Sequence, residues 1–368
     1  MGTAVISPEM SANQAMHPSD GATLFGMAIH SPSPDDGSRS SAKACNMKTQ
    51  RIGLTLIETL VVIGIIVILL AVLMPAVQSV RESARRTTCL NNVRQLALAI
   101  ITHESAHSAL PDLYNGTFLE HPRYALDEFH YHSWRTVILP QLEQSALYDR
   151  IDFASPATVE ANQSIANTNI SVFVCPSTSN PHPVVPGISA FPPLRNPPIV
   201  GTAARSDYEV IGGVFFQPSG TTDLQNVKFG AWGEPRAYRF PISITYRKPR
   251  LRDVSDGQSQ TMLIAERGGR PDLYEKGKPV DPYPYANPTH GMDHHQAAWA
   301  ISTHFWWLVF WHEQRVNETN RTGVFSFHPM GANVGLADGS VRFLSESVDQ
   351  GTLNALATRS GGDTVTLD

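Results

Sequence analysis

The chain has 368 residues, with 28 Lys and Arg against 33 Asp and Glu, a formal net charge of −5 and a pI near 6.3. This balance gives no basic face for nucleic acid, and the length suits one large domain or one domain with insertions. Residues 1–46 cluster Ser, Pro, Gly and Asp without sustained apolar periodicity. They read either as a removable disordered leader or as sequence upstream of a true start at Met47, and in both cases are absent from the mature protein.

Residues 47–53 read MKTQRIG, a short basic run ending in Gly53. Residues 54–75 follow with a single charge, Glu58, and as a helix would be roughly 33 Å long, enough to cross a bilayer core. The run is too long for a secretory h-region, and it closes on Met74-Pro75 rather than on a small-residue cleavage site. A carboxylate inside such a segment is costly and implies a task.

These residues resemble a type IV prepilin signal. The resemblance implies that prepilin peptidase cuts after Gly53 and methylates the new amine of Leu54, where the family most often has Phe. Glu58 then becomes the fifth mature residue. Its carboxylate could pair with the Leu54 amine of a neighbouring subunit, so that each buried charge has a partner. The implied location is the bacterial inner membrane, single-pass, with a cytoplasmic N-terminus and a periplasmic or extracellular head. Lys48 and Arg51 agree with that orientation, while Arg81, Arg85 and Arg86 beyond the other end argue weakly against it.

Past Pro75 the helical pattern restarts. Val77, Val80, Ala84, Val93, Leu96 and Ile100 recur at three- and four-residue steps, with Arg and Glu on the wet face, which predicts an amphipathic extension over 76–104. Of three cysteines, Cys45 leaves with the leader. Cys89 and Cys175 remain, either as a disulfide closing a loop of about 87 residues, worth roughly 4 kcal/mol, or as two buried free thiols.

RESARRTTCLNNVRQLALA, SWRTVILPQLEQSALYDRIDF, VFVCPST, SDYEVIGG, RLRDVSDGQSQTMLIAE and FSFHPMGANVGLADGSVRFLSESVD follow in that order. Together they resemble the prepilin-type family known as domain of unknown function 1559, whose C-terminal signature is His, nine residues, Asp-Gly. Here that is His328 with Asp338 and Gly339. The resemblance implies a pilin-like α+β architecture, a long N-terminal helix packed on a mainly antiparallel head with long loops. The head would run over 105–368, with an insertion at about 268–323. The family's biochemical role is not established, so an activity does not follow.

VGLA-DG-SVRFL itself reads as a hairpin, Asp338-Gly339 supplying a type I′ turn, and His328 as a residue that orients it. A structural role suffices for all three, with a catalytic or metal-binding His328/Asp338 pair as the alternative. Asp256-Gly257 reads as another turn. Strands are predicted at Ile170–Val174, Tyr208–Phe216, Ile242–Tyr246, Thr261–Ala265, Val324–Phe327, Asn333–Ala337 and Val341–Leu344. A short helix is predicted over Leu139–Ile151, with Leu142, Leu147 and Ile151 inward, and loop over the proline-rich 181–198. Residues 290–312 gather His290, Asp293, His294, His295, His304 and His312 with Trp299, Trp306, Trp307 and Trp311. They read as a helix over about Ala297–Gln314 covering a sheet edge or partner, or else as a metal- or glycan-contacting surface.

No phosphate loop, HExxH or G-x-S-x-G is present, so neither an enzyme nor a cofactor is expected. Two classes remain. One is a pilin or pseudopilin of a type IV pilus or a type II secretion-like pseudopilus, whose partners are prepilin peptidase, other pilin-like subunits and inner-membrane lipid. The other is a membrane-tethered extracytoplasmic binder, of glycan for example, that uses the prepilin route only for delivery.

Overall fold

A computed structural model of the chain describes Gly53 and residues 55–113, 132–155, 157, 160–178, 184–189, 199–216, 226–233, 248–281, 297–301 and 309–362. Helix α1 covers Leu56–His107, 52 residues or about 78 Å. It starts on a capping box: the amide and hydroxyl of Thr55 donate to Glu58 Oε2 at 2.8 and 2.9 Å, and the Glu58 amide donates to Thr55 Oγ1 at 3.3 Å. The helix continues unbroken through Pro75 rather than restarting after it.

The side chains of α1 divide along its length. Leucines, isoleucines and valines from Leu56 to Val80 are exposed, whereas Cys89, Val93, Leu96 and Ile100 are fully buried. Inward packing therefore starts later than the apolar periodicity predicted, because Val77, Val80 and Ala84 meet no sheet. The basic and acidic residues are not all wet either. Arg86 lies 3.4 Å over the Phe343 ring, and Glu82 is half-buried in a polar cluster.

After α1 come short helices. Helix α2 (Trp134–Val137) is capped by Ser133, a 3-10 turn covers Leu139–Leu142, and α3 covers Ser145–Tyr148. The predicted single helix over Leu139–Ile151 is broken at Glu143, which takes a left-handed φ of 60°. Of its three inward residues Leu147 is buried, and Leu142 and Ile151 are half-buried. Helix α4 (Gln163–Ala166) follows, and Ser171–Phe173 forms a 3-10 turn where a strand was predicted. That turn lets Phe173 O accept from the Asp207 amide while Phe173 packs on Trp299.

Strand β1 (Val184–Ser189), inside the stretch 181–198 expected to be loop, forms an antiparallel pair with β2 (Ile199–Ala204) just beyond it. Pro186 is tolerated there because a two-stranded pair has only edges. The run Tyr208–Phe216 splits into β3 (Tyr208–Val210) and β4 (Gly213–Phe215), which join different sheets. β5 is Val227–Phe229, β6 Met262–Glu266, β7 Leu273–Glu275, β8 Lys278–Asp281 and β9 Val309–Trp311. β10 is Gly331–Leu336 and β11 Val341–Ser345, and helix α5 (Gln350–Leu356) closes the described chain.

The main sheet has order β11-β10-β6-β3, antiparallel throughout. A second sheet, β5-β4-β9, pairs β4 with β9 in parallel. The molecule is thus α+β with a mainly antiparallel head. The predicted strand Val324–Phe327 shrinks to one bridge, Phe325 with Arg267. The predicted helix over Ala297–Gln314 is absent from its described parts. Ala298 and Ile301 make isolated bridges to Arg205 and His132, and Val309–Trp311 is an edge strand of the second sheet. The strand predicted at Ile242–Tyr246 lies outside the described residues.

The β10–β11 hairpin runs along the inner face of α1. A side chain on Gly335 would meet Val93 and Ala97 of α1 and Ile264 of β6 at 2.8 to 3.2 Å. At the hairpin tip Gly339 adopts a φ of 84°, and a Cβ there would stand 3.2 Å from Leu98 and Ile101. Glycine is required at 335 by close approach and at 339 by conformation as well.

Candidate functional site

The densest buried chemistry lies where α1, β6 and the start of the hairpin converge. Cys89 of α1 is disulfide-bonded to Cys175, with Cα atoms 5.3 Å apart. Cys175 is itself held, its amide donating to Asp207 Oδ2 at 2.9 Å. Burial pushes the Asp207 carboxyl above its usual range despite Arg205, 3.7 Å away.

His328, with its side chain fully buried, sits against this disulfide. Its Nδ1 is 2.7 Å from Glu82 Oε1 and its Nε2 is 3.2 Å from Glu266 Oε1 and 3.5 Å from Cys175 Sγ. Burial alone would lower the imidazole pKa, but Glu266 and then Glu82 raise it above the ordinary histidine value. An imidazolium has two N–H donors and satisfies both carboxylates at once.

Each carboxylate has its own support. Glu82 accepts from Ser177 Oγ at 2.9 Å and pairs with Arg85 at 2.7 Å. Its partial burial alone would raise its pKa, but His328, Arg85 and Ser177 hold the carboxyl below its usual value. Glu266 accepts from the Asn333 amide at 2.7 Å and from Asn333 Nδ2 at 3.1 Å.

Asp338 is elsewhere. It lies at the opposite end of β10, where its Oδ1 accepts from the Ser340 amide and hydroxyl at 2.8 and 2.6 Å. His328 and Asp338 therefore do not form a catalytic or metal-binding pair. The structure places them at the two ends of one hairpin, each in register with a different turn of α1. A cleft of about 620 Å³ borders His328 and is also lined by Lys276, Arg315, Phe327 and Glu346.

A second buried ionic group braces the other side of β3. Glu209 Oε2 lies 2.8 Å from Arg135 and 3.1 Å from Arg267, and Trp134 Nε1 donates to Glu209 Oε1 at 3.0 Å. Burial would raise the Glu209 carboxyl, but the two guanidinium groups hold it below the usual value.

The remaining sequence candidates are dispersed. Glu58 bonds its own helix start, Gly53 is exposed, and Leu54 lies outside the described residues. Trp299 is fully buried and donates to Thr168 O, and Trp311 stacks on Phe215, so both serve the core rather than a surface. His312 is half-buried and stacks on Phe216. His290, Asp293, His294, His295, His304, Trp306 and Trp307 lie outside the described residues. Sequence reading missed Glu82 and Glu266. Thr55 with Glu58 carried a legible T-x-x-E cap, but nothing local marks Glu82 or Glu266 as partners of His328.

A family model described as a protein of unknown function, DUF1559, matches residues 78–351. The chain belongs to the DUF1559 family. The match starts in α1 just before Glu82 and ends in α5, so it spans all the residues around His328. No curated protein and no solved structure matches. In this DUF1559 chain the His, nine residues, Asp-Gly signature sets His328 against Glu82 of α1 and, at the hairpin tip, Gly339 beside Leu98 and Ile101, with Asp338 closing the turn through Ser340.

Proposed function

We infer that this DUF1559 protein is a structural subunit of the pilin type, anchored by α1 and built to pack side by side with similar subunits. The carrying observation is the Leu56–Val80 half of α1. It is apolar on every face, buries none of its most hydropathic window within the chain, and can cross a bilayer by length and composition. Such a surface needs lipid or other helices to cover it. The second half of the same helix is fastened to the head by a disulfide, the Glu82–His328 pair and the Gly335 and Gly339 contacts.

On this reading prepilin peptidase cuts after Gly53 and methylates Leu54. Cutting removes the residues before Leu54 and leaves the Thr55–Glu58 cap in place, with Glu58 four residues, about one helical turn, beyond the new amine of its own chain and free to pair with a neighbour's. The head stays on the side of the membrane opposite the leader. No chemistry is asked of the head, and the role is assembly rather than catalysis.

Intact-mass measurement of the protein from its native membranes tests the processing step. The expected mass is that of a chain starting at methylated Leu54. A mature chain still carrying Lys48 and Arg51 would refute it.

A further inference from the structure

The sulfurs of Cys89 and Cys175, a carboxylate oxygen of Glu266 and a ring nitrogen of His328 all lie within 4.8 Å of one another, and all four residues are buried. They come from α1, the turn after Ser171–Phe173, β6 and the segment before β10. A disulfide by itself has no need of a buried imidazole and a buried carboxylate against its sulfurs. Two thiolates, one imidazole and one carboxylate make a four-coordinate donor set for zinc, with one negative charge in excess of the ion's two positive ones.

The surrounding contacts are those a metal centre uses. Glu82 holds His328 Nδ1 at 2.7 Å, which leaves Nε2 aimed at the sulfurs and Glu266. This is the carboxylate–histidine arrangement that orients a ligating imidazole. Asn333 holds both oxygens of Glu266, and Asp207 holds the Cys175 backbone. Around tetrahedral zinc, with bonds of about 2.3 Å to sulfur and about 2.0 Å to nitrogen or oxygen, donors stand roughly 3.3–3.8 Å apart. The cluster needs to contract by only about 1 Å at its widest, and cysteine Cα atoms 5.3 Å apart let the sulfurs part by side-chain rotation.

We propose that the reduced chain binds one zinc ion through Cys89, Cys175, Glu266 and His328, so that disulfide and metal are alternative occupants of one buried site. Either one fastens α1 to β6 and the hairpin. A tertiary phosphine interconverts the forms. Phosphorus attacks one sulfur and the other departs as thiolate. Water then releases the second thiol and phosphine oxide, so two electrons pass from phosphorus to the sulfurs. Zinc binding then discharges the two thiol protons and the Nε2 proton of His328 to solvent, leaving Nδ1–H donating to Glu82.

The test is equilibrium dialysis of the detergent-solubilised full chain against zinc. One sample is oxidised, and the other is reduced with phosphine in mild urea and returned to native buffer. The expected result is one zinc per reduced chain and none per oxidised chain. Substituting cobalt should give the visible absorption of a tetrahedral thiolate site. His328→Gln should abolish tight binding in the reduced chain, and Glu82→Gln, outside the donor set, should weaken it about 10- to 100-fold. Near-UV circular dichroism of each oxidised variant establishes that it is folded. Equal zinc in both redox states, full affinity in either variant, or a reduced chain that takes up no zinc would overturn the proposal.

Discussion

Helix α1 is one element in two surroundings. Between Leu56 and Val80 its large apolar side chains are exposed, Ile66 at 48% and Val72 at 71%, whereas Val93, Leu96 and Ile100 are at 0%. Apolarity does not distinguish these halves, since both carry Leu, Ile and Val. What differs is the pattern. Apolar residues on all faces cannot be satisfied by one sheet, so that half needs an apolar solvent or several neighbours. Apolar residues on one stripe, with Arg, Thr and Asn on the rest, need a single sheet, and β6 and β10 supply it. The glycines of β10 allow the sheet to approach this stripe closely, and the charged His328 cluster and the disulfide hold its near end.

The largest expected effect lies off the helix and tests whether the head stands on its own ionic core. Glu209→Ala should destabilise the detergent-solubilised chain by about 3–5 kcal/mol, because Arg135 and Arg267 would be left buried without their carboxylate. The sign with pH follows from its lowered folded pKa. The contribution is present above the unfolded carboxylate value, about 4.3, and is lost as pH falls through the lower folded value. Acid titration of the melting curve should show wild type losing more stability than the variant over this range, since groups such as Glu82 titrate in both. Parallel acid curves would break the assignment.

Next comes the comparison within α1. Leu96→Ala should cost about 2–5 kcal/mol by cavity formation, and Ile66→Ala within about 0.5 kcal/mol, in the same thermal or urea denaturation of the head. Similar losses at the two positions would show that the exposed half is packed on the head after all. The smallest loss expected within the head concerns the hairpin tip. Gly339→Val forces a β-branched residue to a φ of 84° against Leu98 and Ile101 and should cost about 1–3 kcal/mol. A silent Gly339→Val would mean that the tip does not grip α1.

The sequence made the long helix and the β10–β11 hairpin legible because both depend on short-range signals, an apolar run and an Asp-Gly turn. Cys89 and Cys175 were readable as a pair by count alone. The cluster around His328 was not. Glu82, Glu266 and His328 are separated by 184 and 62 positions and meet only through strand pairing and helix docking. The Ala297–Gln314 helix is not formed in its described parts because Trp311 lies in strand β9 against Phe215 of β4, and Trp299 sits in a bend packed on Phe173. Leu139–Ile151 was read as one helix because nothing in the sequence marks the left-handed turn at Glu143.

The central claim is that the Leu56–Val80 surface meets copies of itself in the membrane. Cys89 and Cys175 are bonded to each other, so with Cys45→Ser in place, Ile66→Cys introduces a single free thiol. Oxidative cross-linking of this variant in native membranes should give covalent dimers between α1 helices, lost when Glu58→Ala is added while membrane insertion persists. Purely monomeric Ile66→Cys, or dimers unchanged by Glu58→Ala, would contradict it.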